Sequence, residues 1–328
     1  MPEIARILAA LTTTAGQPAA LATLVQVEGS SYRRPGARLL LLPNGTRTGS
    51  ISGGCLEEDV MERARRVLGS GRAELAVYDT TTENDLVWGV GLGCQGVVRI
   101  FIERIPPIRP DWVSVLETNQ RARRDTILRV DYHGMTSNGT HLASAGEASE
   151  QTFCETIAAP PALVICGAGD DAQPLARMAK ETGWHVTVAD TRTAYATSAR
   201  FPAADAILAA PVEQICARLP VDSRMFAVVM THRYADDRQF LHALLQRDIA
   251  YLGQLGPRKR TDRLLADLPA GITPPTAFQL SKLSAPVGLD LGGNTPETVA
   301  LSILAEMQSR LTGHLAVPLR DRTGPIHD

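Results

Sequence analysis

The sequence is poor in cysteine, long apolar runs and blocks of one charge, and each of these absences excludes a class of protein. No run of about 18 apolar residues occurs, so we predict no membrane-spanning helix. The five cysteines include no Cys-x-x-Cys pair, which argues against a zinc ribbon, a thioredoxin-type site and a disulfide scaffold. The net charge is −2 and no basic block is present, so nothing indicates a nucleic-acid partner.

The composition is that of a soluble globular protein long enough for two domains. Of the 328 residues, 44% are hydrophobic and 21% are charged, which allows a sizeable buried core. The first residues, Met1-Pro-Glu-Ile4, lack the basic start and apolar centre of a signal peptide. We therefore expect a cytoplasmic protein whose thiols are reduced.

A strand–turn–helix–strand pattern in the second half is typical of a dinucleotide-binding fold. The apolar run Ala162 to Cys166 predicts a buried parallel strand. Gly167, Gly169 and the small Ala172 follow it, at the spacing that lets a backbone turn tightly beneath a phosphate. Asp190 ends the next predicted strand, where an acid can accept hydrogen bonds from a ribose or a similar diol.

The alternation of strands and helices continues beyond this unit and defines the fold class. We predict an α/β protein with a C-terminal Rossmann-like, doubly wound parallel sheet and an N-terminal α+β domain. Prolines mark the domain boundaries. The predicted N-terminal domain spans 1–105, a connecting segment 106–158, the Rossmann-like domain 159–315 and a tail 316–328.

Polar residues follow two of the predicted parallel strands. Arg192 comes shortly after Asp190, and Thr231 and His232 follow a clear apolar strand. The carboxyl ends of such strands face the ligand crevice, so these side chains are candidates to line it. A histidine at a strand end can equally satisfy a backbone carbonyl.

A glycine-flanked cysteine precedes the best-defined helix of the first half. Cys55 follows Gly53-Gly54 and opens a predicted helix over 55–68, with Gly69 placed to cap its end. The helix dipole and the free N–H groups favour a thiolate there, whereas the acids that begin at Glu57 oppose it. Cys55 can be a sulfur or metal ligand, or a small core residue.

Two further loops carry candidate binding residues. Cys94 lies among four glycines in residues 88–96, a density that lets backbone approach a ligand closely. Arg33 and Arg34 lie in a loop rich in turn formers and hydroxyls, where the cations can bind a phosphate or form a solvated face. The spacing of Cys55 and Cys94 in the sequence does not show whether these two cysteines lie close together in the fold.

Several segments, taken together, resemble the XdhC/CoxI family of xanthine and carbon monoxide dehydrogenase maturation factors. The first half carries Gly29-Ser-Ser-Tyr-Arg-Arg-Pro-Gly36, Gly49-Ser-Ile-Ser-Gly-Gly-Cys55-Leu-Glu57 and Gly91-Leu-Gly-Cys94. The second half carries Gly167-Ala-Gly169, Val188-Ala-Asp190-Thr-Arg192, Arg200-Phe-Pro202, Thr231-His232, Tyr251-Leu-Gly-Gln-Leu-Gly256 and Ala285-Pro-Val-Gly-Leu-Asp290. The resemblance covers nearly the whole chain except roughly residues 106–158.

This resemblance implies a chaperone for the molybdenum cofactor rather than a turnover enzyme. Such proteins bind the molybdopterin-based cofactor, in some cases as a dinucleotide, while a cysteine desulfurase supplies its sulfido ligand. They then help to insert it into an apo molybdenum hydroxylase of the xanthine, aldehyde or carbon monoxide dehydrogenase type. The family also implies a homodimer. The residues expected to bind the cofactor are Cys55 and Cys94, as contacts to molybdenum or sulfur, with Gly53, Gly54, Glu57, Arg33, Arg34, Gly167, Gly169, Asp190, Arg192, Thr231 and His232.

The chain departs from the family pattern at its phosphate turn. Many members have His after the Gly-x-Gly, whereas this chain has Asp170-Asp171, and acids there would repel a phosphate held at the helix N-terminus. Many members also have Gly-Ser-Arg where this chain has Gly256-Pro-Arg258. Our hypothesis is a site between the two domains, lined by Cys55 and Cys94 on one side and by the Rossmann crevice on the other.

Two other functions remain open from the sequence. A nicotinamide-dependent oxidoreductase, using NAD or NADP, would explain Asp190, since an acid there prefers a free 2′-hydroxyl. The acids at 170 and 171 and the lack of a Tyr-x-x-x-Lys pair oppose it. A nucleotide-sensing scaffold without chemistry is the third hypothesis, and it predicts that both cysteines can be replaced without effect on its partner.

Overall fold

The computed structural model describes residues 3–79, 96–132, 139–143, 151–219, 222–268 and 273–322. The chain divides into two compact units, unit 1 (Met1–Ala159) and unit 2 (Pro160–Asp328). Each unit has hydrophobic core clusters of its own. The short tail contains one turn of 3-10 helix at Leu319–Asp321.

Unit 1 is built around a five-stranded antiparallel sheet covered by helices. Its strands are β1 (Ala19–Gly29), β2 (Arg38–Leu41), β3 (Arg47–Gly49), β4 (Glu74–Asp79) and β5 (Gly96–Ile105), in the spatial order β3-β2-β1-β5-β4. Its helices are α1 (Glu3–Thr13), α2 (Glu57–Ser70) and α3 (Asp111–Arg121). This is the α+β architecture that the sequence predicts.

The alternation of side chains along β1 explains why both faces of this sheet are covered. Ala20, Ala22 and Leu24 belong to the core cluster that includes the apolar face of α2. Ala19 and Leu21 belong to the cluster formed with α1 and α3. Because successive side chains of a strand point to opposite faces, one apolar strand can anchor two layers of helix.

The segment that we expected to connect the two domains, 106–158, contains a helix and three strands. Besides α3, it holds β6 (Thr126–Asp131), β7 (Gly139–Leu142) and β8 (Thr152–Ile157), which form an antiparallel sheet in the order β7-β6-β8. Four of the six residues of β8 are β-branched or aromatic, which favours a strand. The small and polar stretch before it led us to expect a connecting segment, whereas the structure pairs β8 with β6 along the whole strand.

Unit 2 is a six-stranded parallel sheet with helices on both faces. Its strands are β9 (Ala162–Cys166), β10 (His185–Asp190), β11 (Ala206–Ala209), β12 (Met225–Val229), β13 (Tyr251–Gln254) and β14 (Leu283–Ser284). Its helices are α4 (Ala172–Glu181), α5 (Val212–Arg218), α6 (Tyr234–Leu245), α7 (Arg258–Ala266), α8 (Ala277–Ser281) and α9 (Pro296–Thr312).

The strand order of unit 2 confirms the predicted fold. The order β11-β10-β9-β12-β13-β14, with every pair parallel, is the Rossmann order 3-2-1-4-5-6. The order reverses between β9 and β12. Ligands of open α/β sheets bind at such a switch point, outside the carboxyl ends of the strands, which is where Gly167 and Thr231 lie.

Helix α2 differs in its limits from the prediction. It begins at Glu57 rather than at Cys55, with Leu56 as its N-cap. It ends two residues later than predicted, because Gly71 and not Gly69 takes the left-handed cap conformation, with φ of 73°. Cys55 therefore lies just outside the helix. Within the described residues, no helix combines the length and apolarity needed to cross a bilayer.

The turn after β9 provides a test of the Rossmann geometry. Gly167 has φ of 127°, and a Cβ there would overlap the backbone carbonyl of Met230 at the end of β12. We expect Gly167→Ala to lower the free energy of unfolding by about 2–4 kcal/mol, measured by urea denaturation with circular dichroism. The control is Gly69→Ala in α2, where nothing obstructs a Cβ and stability should rise by up to about 1 kcal/mol. An unchanged midpoint for Gly167→Ala would contradict the close approach of β9 and β12.

Candidate functional site

The loop that carries Cys55 is folded around the carboxylate of Glu57. Four successive backbone N–H groups, those of residues 51–54, donate hydrogen bonds to this carboxylate at 2.8–3.2 Å. The hydroxyl of Ser50 donates at 2.8 Å, and the hydroxyl of Ser52 also donates. Glu57 is 5% exposed, while Cys55 is an exposed free thiol at the end of the same loop.

These hydrogen bonds determine the charge state of Glu57. Burial by itself would raise the pKa of this carboxyl. The hydrogen bonds from Ser52, Ser50 and Ile51 favour the ionised form more strongly and lower the pKa to about 2. Glu57 is therefore a carboxylate that shapes the loop, and its acceptor oxygens are occupied by its own chain.

The predicted basic loop meets the glycine loop through an aromatic ring. A Cβ at Gly53 would lie 2.7 Å from Cε1 of Tyr32, so the glycine, with φ of 83°, leaves room for this ring. Tyr32 is 68% exposed. Arg33 donates to Glu3 of α1 at 2.9 Å, and Arg34 is exposed. Tyr32 thus belongs to the same surface region as the Cys55 loop, and Arg34 follows two residues later in the chain.

The second predicted cysteine, Cys94, lies outside the described residues. The described strand β5 begins two residues after it, at Gly96, which pairs with Gly29 at the end of β1. Among the residues that the structure describes, no three His, Cys, Asp or Glu side chains form a group that could hold a metal ion. A metal contact by Cys55 therefore remains a prediction.

The glycine turn of unit 2 is organised by the buried carboxylate of Asp190. The N–H of Ala168 donates to Oδ2 at 2.7 Å. Arg192 donates from its backbone N at 2.8 Å, and from Nε and Nη2 of its guanidinium at 2.9 and 2.7 Å. Asp190 is 1% exposed. Burial raises its pKa, but the hydrogen bonds from Arg192 and Ala168 outweigh this and lower it.

Both acids of the phosphate turn have hydrogen-bond partners within the chain. Nη2 of Arg200 donates to Asp170 at 2.8 Å and to the carbonyl of Ala168 at 3.3 Å. Nε2 of His232 lies 2.6 Å from Oδ2 of Asp171. His232 has φ of 61°, a left-handed conformation that is uncommon outside glycine. Arg200 thus offsets the charge of Asp170 at this turn, while Asp171 is hydrogen-bonded to His232.

Thr231 is buried and stabilises the crevice through hydrogen bonds. It is 3% exposed, and its backbone N–H and hydroxyl both donate to Asp237 of α6, at 3.0 and 2.6 Å. The other oxygen of Asp237 accepts from Arg260 of α7 at 2.6 Å. Asp237 thus ties the end of β12 and the first turn of α6 to the start of α7.

Comparison with known proteins shows which family the chain belongs to. The models of the XdhC and CoxI family and of the XdhC Rossmann domain match residues 13–79 and 163–307. A Bacillus subtilis (strain 168) protein described as a probable xanthine dehydrogenase subunit is 36% identical over 315 residues, which cover 89% of this chain and 92% of that protein. The chain belongs to the XdhC and CoxI family.

Two further relatives extend over most of the chain. The molybdenum cofactor insertion chaperone PaoD of Escherichia coli (strain K12) is 26% identical over 303 residues, 90% of this chain and 84% of PaoD. A crystal structure described as a xanthine dehydrogenase from Bacillus halodurans matches with a TM-score of 0.80 and 28% identity, covering 97% of this chain and 98% of that one. The resemblance seen in the sequence is confirmed.

The sequence did not reveal every residue that shapes these sites. Tyr195 and Arg200 lie beside the phosphate turn but were not among the predicted site residues. The sequence did contain a signal for Arg200, because this arginine is the first residue of the family motif Arg200-Phe-Pro202. Arg260 also had one: α7 begins with three cations, which the positive end of a helix disfavours. Such a break with local preference often marks function. Nothing in the local sequence indicates Tyr195.

The buried carboxylate of Glu57 should make the stability of unit 1 depend on pH, and replacing it should remove that dependence. Because the folded pKa of Glu57 is about 2 and its ordinary value is 4.5, its contribution is complete above pH 4.5 and is lost as pH falls from 4.5 towards 2. We expect Glu57→Gln to cost about 2–3 kcal/mol at pH 7 and less at pH 3, by urea denaturation.

The matched control for this prediction is the exposed neighbour. Glu58→Gln removes the same charge from the first turn of α2 without touching the loop, so it should change stability by less than about 0.5 kcal/mol. Equal losses for the two variants, or a Glu57→Gln loss that does not shrink in acid, would show that the loop does not depend on this carboxylate.

Proposed function

We propose that this protein binds the molybdenum cofactor and helps to insert it into an apo molybdenum hydroxylase of the xanthine dehydrogenase type. Membership of the XdhC and CoxI family supports a role in xanthine dehydrogenase maturation. The similarity to an insertion chaperone over 90% of the chain supports the cofactor as the cargo. On this proposal the protein is a chaperone and not a turnover enzyme.

The observation that carries the proposal is the exposed thiol of Cys55 on a loop of fixed shape. Thiolates are soft ligands that suit molybdenum and sulfur. The bound cofactor supplies the molybdenum centre that the hydroxylase requires. Cys55 would contact that centre, and Cys94 would join it from the glycine-rich segment before β5. Gly54, where a Cβ would meet nothing within 4 Å, would let the cofactor approach the backbone closely, whereas the corresponding space at Gly53 is taken by the ring of Tyr32.

The donor groups around Cys55 fit the cofactor in part. The backbone N–H groups of residues 51–54 are not available to a phosphate, because Glu57 accepts their hydrogen bonds. Glu57 therefore acts as a positioning residue rather than as a ligand. The phosphate would have to be met by side chains. The predicted candidates in the adjoining loop are Arg33 and Arg34, and Arg33 is already paired with Glu3.

The remaining partners follow from the same proposal. A cysteine desulfurase would supply the sulfido ligand while the protein shields the cofactor, and the protein would act as a homodimer in the cytoplasm. Gly167, Gly169, Arg192 and His232 remain predicted cofactor-binding residues of the crevice of unit 2. The nicotinamide-dependent alternative loses its main support, since Asp190 is buried and its oxygens are engaged within the chain.

Retention of pterin tests the proposal. The protein is purified without oxygen from cells that make the cofactor, and bound pterin is oxidised and quantified by fluorescence. We expect about one pterin per chain in the wild type and at least a tenfold loss in Cys55→Ser, because a thiolate ligand cannot be replaced by a hydroxyl.

Cys154→Ser is the matched control, since Cys154 is also an exposed cysteine but lies in β8. It should retain pterin like the wild type. Full pterin in Cys55→Ser would refute the role of the cysteine. Absence of pterin from the wild type under the same conditions would count against the chaperone function itself.

A further inference from the structure

The glycine turn of unit 2 does not fit a pyrophosphate in the usual Rossmann position. A phosphate there would approach the backbone over Gly169 at the start of α4. Oδ1 of Asp171 lies only 2.7 Å from the position of a Cβ at Gly169, and Cδ2 of His232 lies 3.9 Å from it. The Asp171–His232 pair thus fills the space that the two glycines usually leave open.

The acid at the end of β10 is likewise unavailable to a ribose. In a dinucleotide site this acid accepts from the 2′-hydroxyl. Here Asp190 points inward, is 1% exposed and accepts four hydrogen bonds from its own chain. A diol at this position would have to break the contacts that hold the turn. The crevice therefore lacks both recognition elements of an NAD site.

Instead of these two recognition elements, the crevice has two arginine side chains that pack on the ring of Tyr195. The guanidinium carbon of Arg192 lies 4.1 Å from the ring centre of Tyr195, and that of Arg200 lies 5.1 Å from it. The side chains of both arginines are 29% exposed, and Tyr195 is 41% exposed. The three side chains form a cationic and aromatic rim where the 2′-position of a bound nucleotide would lie.

We infer that Arg192, Tyr195 and Arg200 form an anion site at the end of β10 that binds a phosphate monoester attached to a planar ring system. Guanidinium groups match phosphate oxygens in geometry, and the tyrosine ring can stack on the ring system. The turn at Gly169 does not bind a pyrophosphate. The ligand of this crevice is therefore recognised by its terminal dianionic phosphate.

The ion pairs of the two arginines differ in a way that suits this role. Arg192 is fixed by the buried Asp190, so it is held in place before any ligand arrives. Arg200 pairs with Asp170, whose side chain is 84% exposed. Because exposed ion pairs are weak, a dianion can displace Asp170 from Arg200 at little cost. The site thus has one rigid and one exchangeable cation.

The inference rests on the proposed function only for the natural ligand, which would then present its phosphate monoester to Arg192 and Arg200. The site itself can be tested with other probes. NADP+ and NAD+ differ by a single 2′-phosphate monoester and contain the same pyrophosphate. We expect the full-length protein to bind NADP+ at least about tenfold more tightly than NAD+ in isothermal titration calorimetry.

Single substitutions distinguish binding at the arginine site from a general effect of positive charge on affinity. Arg200→Gln should weaken NADP+ binding about tenfold and leave NAD+ binding unchanged. Arg177→Gln removes a cation from the exposed side of α4 in the same unit, so it should alter neither affinity. Asp170→Asn, which frees Arg200 without removing any contact to the ligand, should strengthen NADP+ binding severalfold. This gain of affinity cannot arise from misfolding.

Three results would overturn the inference: equal affinities for NADP+ and NAD+, a preference that survives Arg200→Gln, or no binding at millimolar concentration of adenosine 2′-monophosphate, which carries the phosphate monoester without the pyrophosphate. The outcome is independent of bound pterin. A protein that prefers NADP+ but never carries pterin would keep the anion site and lose the chaperone function. A protein that carries pterin but binds NADP+ and NAD+ equally would keep the chaperone function and lose the anion site.

Discussion

The hydrogen bonds between the Glu57 carboxylate and the loop before it are the interaction on which the candidate site of unit 1 depends. Four consecutive N–H groups point at one buried carboxylate, an arrangement that proteins otherwise use to bind a free anion. The chain supplies the anion itself. This fixes the loop, keeps Glu57 ionised and leaves Cys55 exposed just before α2, where a thiol can contact a ligand.

Unit 2 uses the same device at its crevice. Asp190 holds the glycine turn and Arg192, and Asp237 holds Thr231 and Arg260. Both carboxylates are 1% exposed, and each is balanced by a guanidinium and by backbone or hydroxyl donors, as buried charges must be. Asp190, which the sequence motif associates with a ligand, thus holds the backbone, and the partly exposed Arg192, Arg200 and Tyr195 remain to contact a ligand.

The sequence predicted the fold well because its signals are local. An apolar run, two glycines at the right spacing and alternating helices suffice for a Rossmann sheet. It could not predict which acids turn inward. The direction of Asp190 depends on the N–H of Ala168 and on the guanidinium of Arg192, and the packing of Tyr32 on Gly53 joins two separate loops. Such contacts arise from the folded chain, so spacing alone does not contain them.

Transfer of the cofactor between two purified proteins tests the central claim most directly. The protein, loaded with cofactor, is mixed without oxygen with an apo xanthine dehydrogenase-type hydroxylase, and pterin on each protein is measured after they are separated. The account predicts that pterin moves to the hydroxylase, that activity appears in proportion, and that free cofactor at the same concentration is less effective. Pterin that stays on the protein, or equal activation by free cofactor, would contradict it.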